Sequence, residues 1–305
     1  MLARMSSPAP SFPIEGVIPL LQTTFHETGA LDLESLANET AWLLSHGITL
    51  LAYPGFVSEW WKLSPDEILA AAQIIRNASS GRAKLILNVT AQSTHLAVEQ
   101  AKAFAAIGAD ALMVLPPFTV PTASGAIAAH LRAVLATAPL PHILQYSASL
   151  TGIKMTAEEM LALHREFPHF RSIKIDYIPP GPLVSALSAA MPPEFTFIIG
   201  YAGLQLADAL RRGAHGMMPG SGHIPEDLRA YQVLKADPLN EGPREFQRLL
   251  PLLNLEMQTI ETSIALHKLM LHERGVIASP HIRQPGYTLD DTYAAQMREH
   301  LRSLA

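Results

Sequence analysis

Eight short apolar runs, spaced about 25–30 residues apart and separated by stretches of helical period, constrain this chain more than any other feature. They are VIPLLQ (17–22), ITLLAY (48–53), KLILNV (84–89), ALMVLP (111–116), HILQY (142–146), SIKI (172–175), FTFII (195–199) and HGMMP (215–219). Most are continuous rather than alternating, as in strands covered on both faces by helices. The intervening segments carry helix punctuation. Asp32 precedes LESLANETAWLLSHG, Ser64-Pro65-Asp66-Glu67 combines a cap, a first-turn proline and two acids, and Thr156 stands three residues before Glu159. Gly47, Gly108 and Gly213 stop helices just before a strand. Strand–helix units in this number predict a parallel sheet closed into a (β/α)₈ barrel. An open doubly wound sheet is the alternative, and no early GxGxxG loop supports it.

The 305 residues exceed the roughly 250 such a barrel needs. The division expected is a loose Ser/Pro-rich tail over 1–13, a barrel over 14–236 and a helical extension over 237–305 packed on it. With 49% hydrophobic and 16% charged residues, one large core is affordable. A net charge of −5 and no basic run argue against nucleic acid as a partner. No apolar stretch reaches the roughly 18 residues of a membrane span, and the first residues lack a signal-peptide core. A cytoplasmic location fits. The absence of cysteine removes thiolate nucleophiles, disulfides and Cys-based metal sites.

Barrel active sites lie at the C-terminal ends of the strands. Of seven lysines, only Lys174 lies inside an apolar strand run. A buried ammonium is disfavoured by desolvation, so an amine there is expected to be held neutral and able to attack a carbonyl carbon, forming an imine. A lysine reaching out to the rim is the plainer reading. Gly200-Tyr201-Ala202-Gly203 and Gly220-Ser221-Gly222 end strands seven and eight, where many barrels bind phosphate. A phosphosugar isomerase is thus a second possibility. The thirteen histidines show no HExxH or other ligand spacing, so no metal is expected.

Several segments, in order and spacing, resemble the dihydrodipicolinate synthase / N-acetylneuraminate lyase superfamily over about residues 14–285. They are Leu21-Gln22-Thr23-Thr24-Phe25, Gly55-Phe56-Val57-Ser58-Glu59 with Leu63 and Glu67, Gly108-Ala109-Asp110-Ala111, Pro121-Thr122, Leu150-Thr151-Gly152, Ser172-Ile173-Lys174, and Arg283. The resemblance implies that Lys174 forms an imine with pyruvate or another 2-oxo acid, in a homotetramer without a cofactor.

The chain also departs from that family. Gln145 stands where the family's proton-shuttling tyrosine belongs, with Tyr146 after it. Neighbouring strand residues face opposite ways, so Tyr146 replaces that tyrosine only if a bulge turns it inward. The carboxylate-binding loop has lost its paired hydroxyls to Phe56 and Val57, leaving Ser58 and backbone N–H groups. Phe118 replaces a tyrosine, and Leu150 replaces the synthases' arginine. Trp60 and Trp61 follow the loop. The expected catalytic groups are Lys174, Gln145 and Tyr146. Substrate contacts are expected from Thr23, Phe56, Val57, Ser58, Phe118, Leu150, Tyr201 and Gly220. The function expected is a Schiff-base lyase, aldolase or dehydratase acting on a 2-oxo acid whose second half is apolar or aromatic. The alternatives are dihydrodipicolinate synthase proper and a barrel that binds a small molecule without catalysis.

Overall fold

The computed structural model describes residues 12–120 and 123–304. These form eight strands: β1 (Gly16–Val17), β2 (Leu50–Tyr53), β3 (Lys84–Val89), β4 (Ala111–Val114), β5 (His142–Tyr146), β6 (Phe170–Ile175), β7 (Thr196–Ile199) and β8 (Gly216–Met217). All pairings are parallel, from β2 round to β8, and β1 closes onto β8 through Gly16↔Gly216 and Val17↔Met217. Leu20 bridges to both Ala52 and Gly220, linking the two ends of the sheet. The 17–22 run yields only a two-residue strand because Pro19 has no N–H to give to a ladder. Its carbonyl still accepts from Ala52 N at 3.0 Å.

Around the strands run α1 (Leu33–Ser45), α2 (Pro65–Ser79), α3 (Thr94–Ile107), α4 (Ser124–Leu135), the single turn α5 (Ala148–Thr151), α6 (Ala157–Glu166), α7 (Gly181–Ala190), α8 (Leu206–Arg211) and α9 (Ile224–Ala236). Then follow α10 (Glu241–Glu256), α11 (Ile260–Glu273) and α12 (Asp291–Leu304). The punctuation works as its chemistry requires. The Asp32 carboxylate accepts from Ser35 N at 2.9 Å to start α1, and reciprocal Ser64–Glu67 and Thr156–Glu159 bonds start α2 and α6. Gly108 ends α3 at φ 93°, where a side chain would be strained. Of the expected tail, residues 1–11 lie outside the described residues. Phe12 packs on the barrel's inner core, and Lys84 Nζ lies 5.8 Å from its ring centre.

Strand alternation sorts side chains into two cores. Leu85, Leu87, Val89, Leu144, Tyr146, Ile173 and Ile175 face the helices. Ile86, Met113, Ile143, Ile198 and Met218 fill the barrel's interior. Burying each such aliphatic side chain contributes about 1.5–3 kcal/mol. Moving along β3, β5 and β6 on the inner face, the apolar layer gives way to Asn88, Gln145 and Lys174. The interior becomes polar at its C-terminal end, where a barrel's chemistry belongs.

Candidate active site

Lys174 is 4% exposed. It lies beside Gln145 in the β5–β6 register. Its Nζ is 2.8 Å from Oδ2 of Asp176, two residues on and therefore on the same inner face. The same oxygen accepts from Gln145 Nε2 and from Ser147 Oγ, each at 2.8 Å. Gln145 Oε1 in turn accepts from Asn88 Nδ2 at 2.9 Å. The sequence predicts an amine kept neutral by apolar surroundings. The structure instead sets a carboxylate against it, held by two further donors.

The space for this carboxylate comes from Gly200. A Cβ there would lie 1.5 Å from Asp176 Oδ1. Just beyond it, Tyr201 and Ala202 adopt left-handed backbone (φ 47° and 52°), which turns the chain so that both line the same cavity. Burial, reinforced by the Asp176 charge, pushes the Tyr201 phenol above its ordinary value, so it stays a hydroxyl donor.

A cavity of about 140 Å³ opens onto Lys174 and Asp176. Of the expected residues, Phe56, Val57, Leu150, Tyr201 and Gly220 line it. The rest of its wall is mostly apolar: Leu20, Met218, and Met257, Ile260 and Ser263 from the end of α10 and from α11. The sequence reading missed these last three, because nothing local says where an extension packs.

Four expected residues lie elsewhere. Tyr146 faces the helix layer, its ring 6.2 Å from that of Tyr177 and its hydroxyl accepting from Met155 N. The register irregularity in β5 falls at His142/Ile143, upstream, so nothing turns Tyr146 inward. Thr23 donates to Ser58 O at 2.6 Å and lies 3.0 Å from the Tyr53 hydroxyl. Ser58 is fully buried, donating to Leu21 O and accepting from Gly55 N. These two hydroxyls hold the loop's shape through those bonds and do not line the cavity. Phe118 packs against Phe56 with ring centres 6.3 Å apart and planes tilted by 60°, and does not line the cavity.

The loop itself is a turn of 3₁₀-helix, Phe56–Ser58. Its Ser58 and Glu59 N–H groups bond to Gly55 O and Phe56 O. The Phe56 and Val57 N–H groups head the turn, where no carbonyl of the turn faces them. Glu59 follows at φ 56°, fully buried, with Lys62 Nζ at 2.9 Å and Lys268 of α11 on its other oxygen. Lys268 also donates to His281 O at 2.9 Å. Arg283 likewise serves structure, pairing with Glu67 and donating to Gly29 O and Lys62 O.

The dihydrodipicolinate synthetase family model matches residues 13–304. This chain belongs to that family. Like other dihydrodipicolinate synthetase family members, it is a lyase. A 4-hydroxy-tetrahydrodipicolinate synthase of Synechococcus sp. (strain CC9605) is 34% identical over 70% of each chain. An L-2-keto-3-deoxyarabonate dehydratase of Azospirillum brasilense is 26% identical over 88% of each. The crystal structure of dihydrodipicolinate synthase from Rhodopseudomonas palustris superposes with a TM-score of 0.87 at 23% identity, covering 95% of this chain and 97% of that one.

In this family member the histidines also yield something spacing did not reveal. His223, Glu256 and His267 come from three separate elements, with ligand-type atoms within 4.8 Å of one another and all three buried. Gly222 N–H donates to His267 Nδ1 at 3.0 Å, which leaves the proton of the neutral ring on Nε2, facing Glu256 at 3.3 Å. Burial pulls His267 down to about 4. Burial also opposes a charge on His223, but Asp227 and Glu256 outweigh it and hold that ring well above the usual histidine range. Within the cluster His223 Nε2 and Glu256 Oε2 are hydrogen-bonded at 2.9 Å, while His267 Nε2 has no hydrogen-bond partner among the described residues. The His267 ring lies where a Gly220 Cβ would be, directly behind the cavity wall.

Proposed function

We propose that this chain is a Schiff-base lyase, aldolase or dehydratase acting on a 2-oxo acid through an imine on Lys174. The observation carrying the proposal is a nearly buried lysine on a cavity wall at the C-terminal end of the barrel, with a carboxylate at 2.8 Å able to accept its proton. Once deprotonated, Nζ is a nucleophile for the C2 carbonyl. The Phe56 and Val57 N–H groups are suited to the substrate carboxylate, as both residues line the cavity. Phe56, Val57, Leu150, Met257 and Ile260 make the remaining wall apolar, which favours a substrate whose second half is apolar or aromatic. Relatives named as a 4-hydroxy-tetrahydrodipicolinate synthase and an L-2-keto-3-deoxyarabonate dehydratase support lyase chemistry of this type. The reading extends to a cytoplasmic homotetramer using no cofactor. No described helix is long and apolar enough to cross a membrane.

The test is reductive trapping with borohydride against pyruvate, phenylpyruvate and sugar-derived 2-oxo acids, read by mass spectrometry. One adduct, at Lys174, is expected, and the Lys174→Ala variant should gain none. A wild-type chain that gains no adduct with any of these acids, or gains it at another lysine, overturns the imine. A preference for the sugar acids over phenylpyruvate overturns the apolar substrate. Light scattering checks the tetramer.

A further inference from the structure

We propose that Asp176 is the acid–base group that makes and breaks the imine on Lys174, taking the place of the tyrosine missing from β5. The inference rests on the imine reading above and adds the identity of the proton carrier. Gln145 cannot carry a proton, since an amide does not titrate in the working range. Its Nε2 instead donates to the Asp176 carboxylate, which can. Tyr146 faces the other side of the sheet. Tyr201 lines the cavity, but its phenol is held above its ordinary value, which disfavours it as a base.

The geometry around Asp176 is directed at Lys174. Three donors converge on Oδ2, namely Lys174 Nζ, Gln145 Nε2 and Ser147 Oγ, all at 2.8 Å. Two of them fix the carboxylate, and the third is the reacting atom. Gly200 lacks the Cβ that would displace Oδ1. Asp176 also lines the cavity, so its protons can reach a bound carbonyl oxygen.

The proton count closes without any other reactant. Asp176 takes a proton from the Lys174 ammonium. The freed lone pair attacks C2 of the 2-oxo acid, a C–N bond forms, and the carbonyl π pair moves onto oxygen. That oxygen receives the proton back from Asp176. Asp176 then takes a second proton from the nitrogen and delivers it to the new hydroxyl. The C–O bond breaks, its electron pair leaves in water, and the nitrogen lone pair closes the C=N bond. A protonated imine remains, and Asp176 is again a carboxylate.

The test mixes the protein with pyruvate or phenylpyruvate, whichever labels the wild-type chain, at pH 6 to 10. Samples are quenched into borohydride at intervals and the Lys174 adduct is counted by mass spectrometry. Asp176→Asn keeps the shape and a hydrogen-bond acceptor but cannot carry the proton. It should form adduct about 100-fold more slowly at pH 7, the size typical of general acid–base catalysis. The deficit should shrink at least tenfold by pH 10, where hydroxide in place of the carboxylate can take the proton from the ammonium. Formate added to Asp176→Ala should restore part of the rate. Thermal melting establishes that each variant is folded. Adduct formation by Asp176→Asn at the wild-type rate overturns the proposal and leaves the imine standing. So does a deficit that is constant across pH with no rescue, which marks a structural role. A wild-type chain that forms no adduct overturns both.

Discussion

Gln145 on β5 and Asp176, one residue past the end of neighbouring β6, are joined by a 2.8 Å bond from the amide Nε2 to Oδ2, which aims the carboxylate at Lys174 in the inner layer. The amide's other end is fixed by Asn88. This chain of side chains depends on room that only a glycine leaves.

Gly200→Ala should therefore act as a variant of Asp176. The backbone at Gly200 (φ −85°, ψ −155°) accepts an L-residue without strain, so any defect comes from the Cβ placed 1.5 Å from Oδ1. The expected cost is about 1–3 kcal/mol of stability from the overlap. Lys174 trapping should slow by about 100-fold as the carboxylate is pushed aside. Calorimetry and the quenched time course read the two separately, and a full trapping rate would contradict the geometry.

Leu150→Arg should change preference rather than rate. Leu150 is 45% exposed at the cavity edge, so a guanidinium there stays solvated and the melting temperature should hold. An exposed ion pair contributes at most about 1 kcal/mol, so kcat/KM should shift about fivefold towards substrates bearing a second carboxylate. Competition between an aromatic and a dicarboxylic 2-oxo acid measures this.

Glu39→Gln should flatten the pH dependence of stability. Burial raises the Glu39 carboxyl to about 7 from an ordinary 4.5. The folded state therefore binds the proton more tightly than the unfolded one, and wild-type stability falls as pH rises from about 4.5 to 7. The amide keeps the bond accepted from Gln22 N and carries no charge. It should be more stable by about 3 kcal/mol at pH 8, the difference vanishing near pH 4.5. Urea titrations across that range decide it.

Lys268→Met should destabilise the chain and loosen the Phe56–Ser58 turn together. Lys268 and Lys62 both face the buried Glu59, and removing one partner of a buried pair costs about 3–5 kcal/mol. Glu59 ends the turn that presents Phe56 and Val57. KM for 2-oxo acids should rise more than kcat falls. An unchanged KM would separate the loop from substrate binding.

The barrel was legible because most strands are continuous apolar runs and several helices, α1, α2, α3 and α6 among them, begin on a side chain that caps them. Lys174 was legible because a cation in such a run is conspicuous. Asp176 was open to the same argument, being two residues on and of the same strand parity, yet it lies just past the run and reads as a turn residue. Strand alternation also gave Tyr146 its outward direction, and only an inward bulge would have rescued it. What no local pattern encodes is convergence across distance. Met257, Ile260 and Ser263 reach the cavity through helix packing, and His223, Glu256 and His267 meet from positions more than thirty residues apart at the extreme. The hydroxyls of Thr23 and Ser58 have the right chemistry for a ligand, but backbone groups claim them first.

The three side chains that the extension lends to the cavity have a consequence for how such a protein diverges. Lys174 at the end of β6 and Asp176 just past it, the proposed nucleophile and proton partner, are two residues apart, while the far wall is encoded some eighty residues later on helices outside the barrel. Selection can therefore reshape the cavity wall by changing Met257, Ile260 or Ser263 without disturbing Lys174 and Asp176, so that the wall evolves on one stretch of the gene while this pair is inherited intact on another.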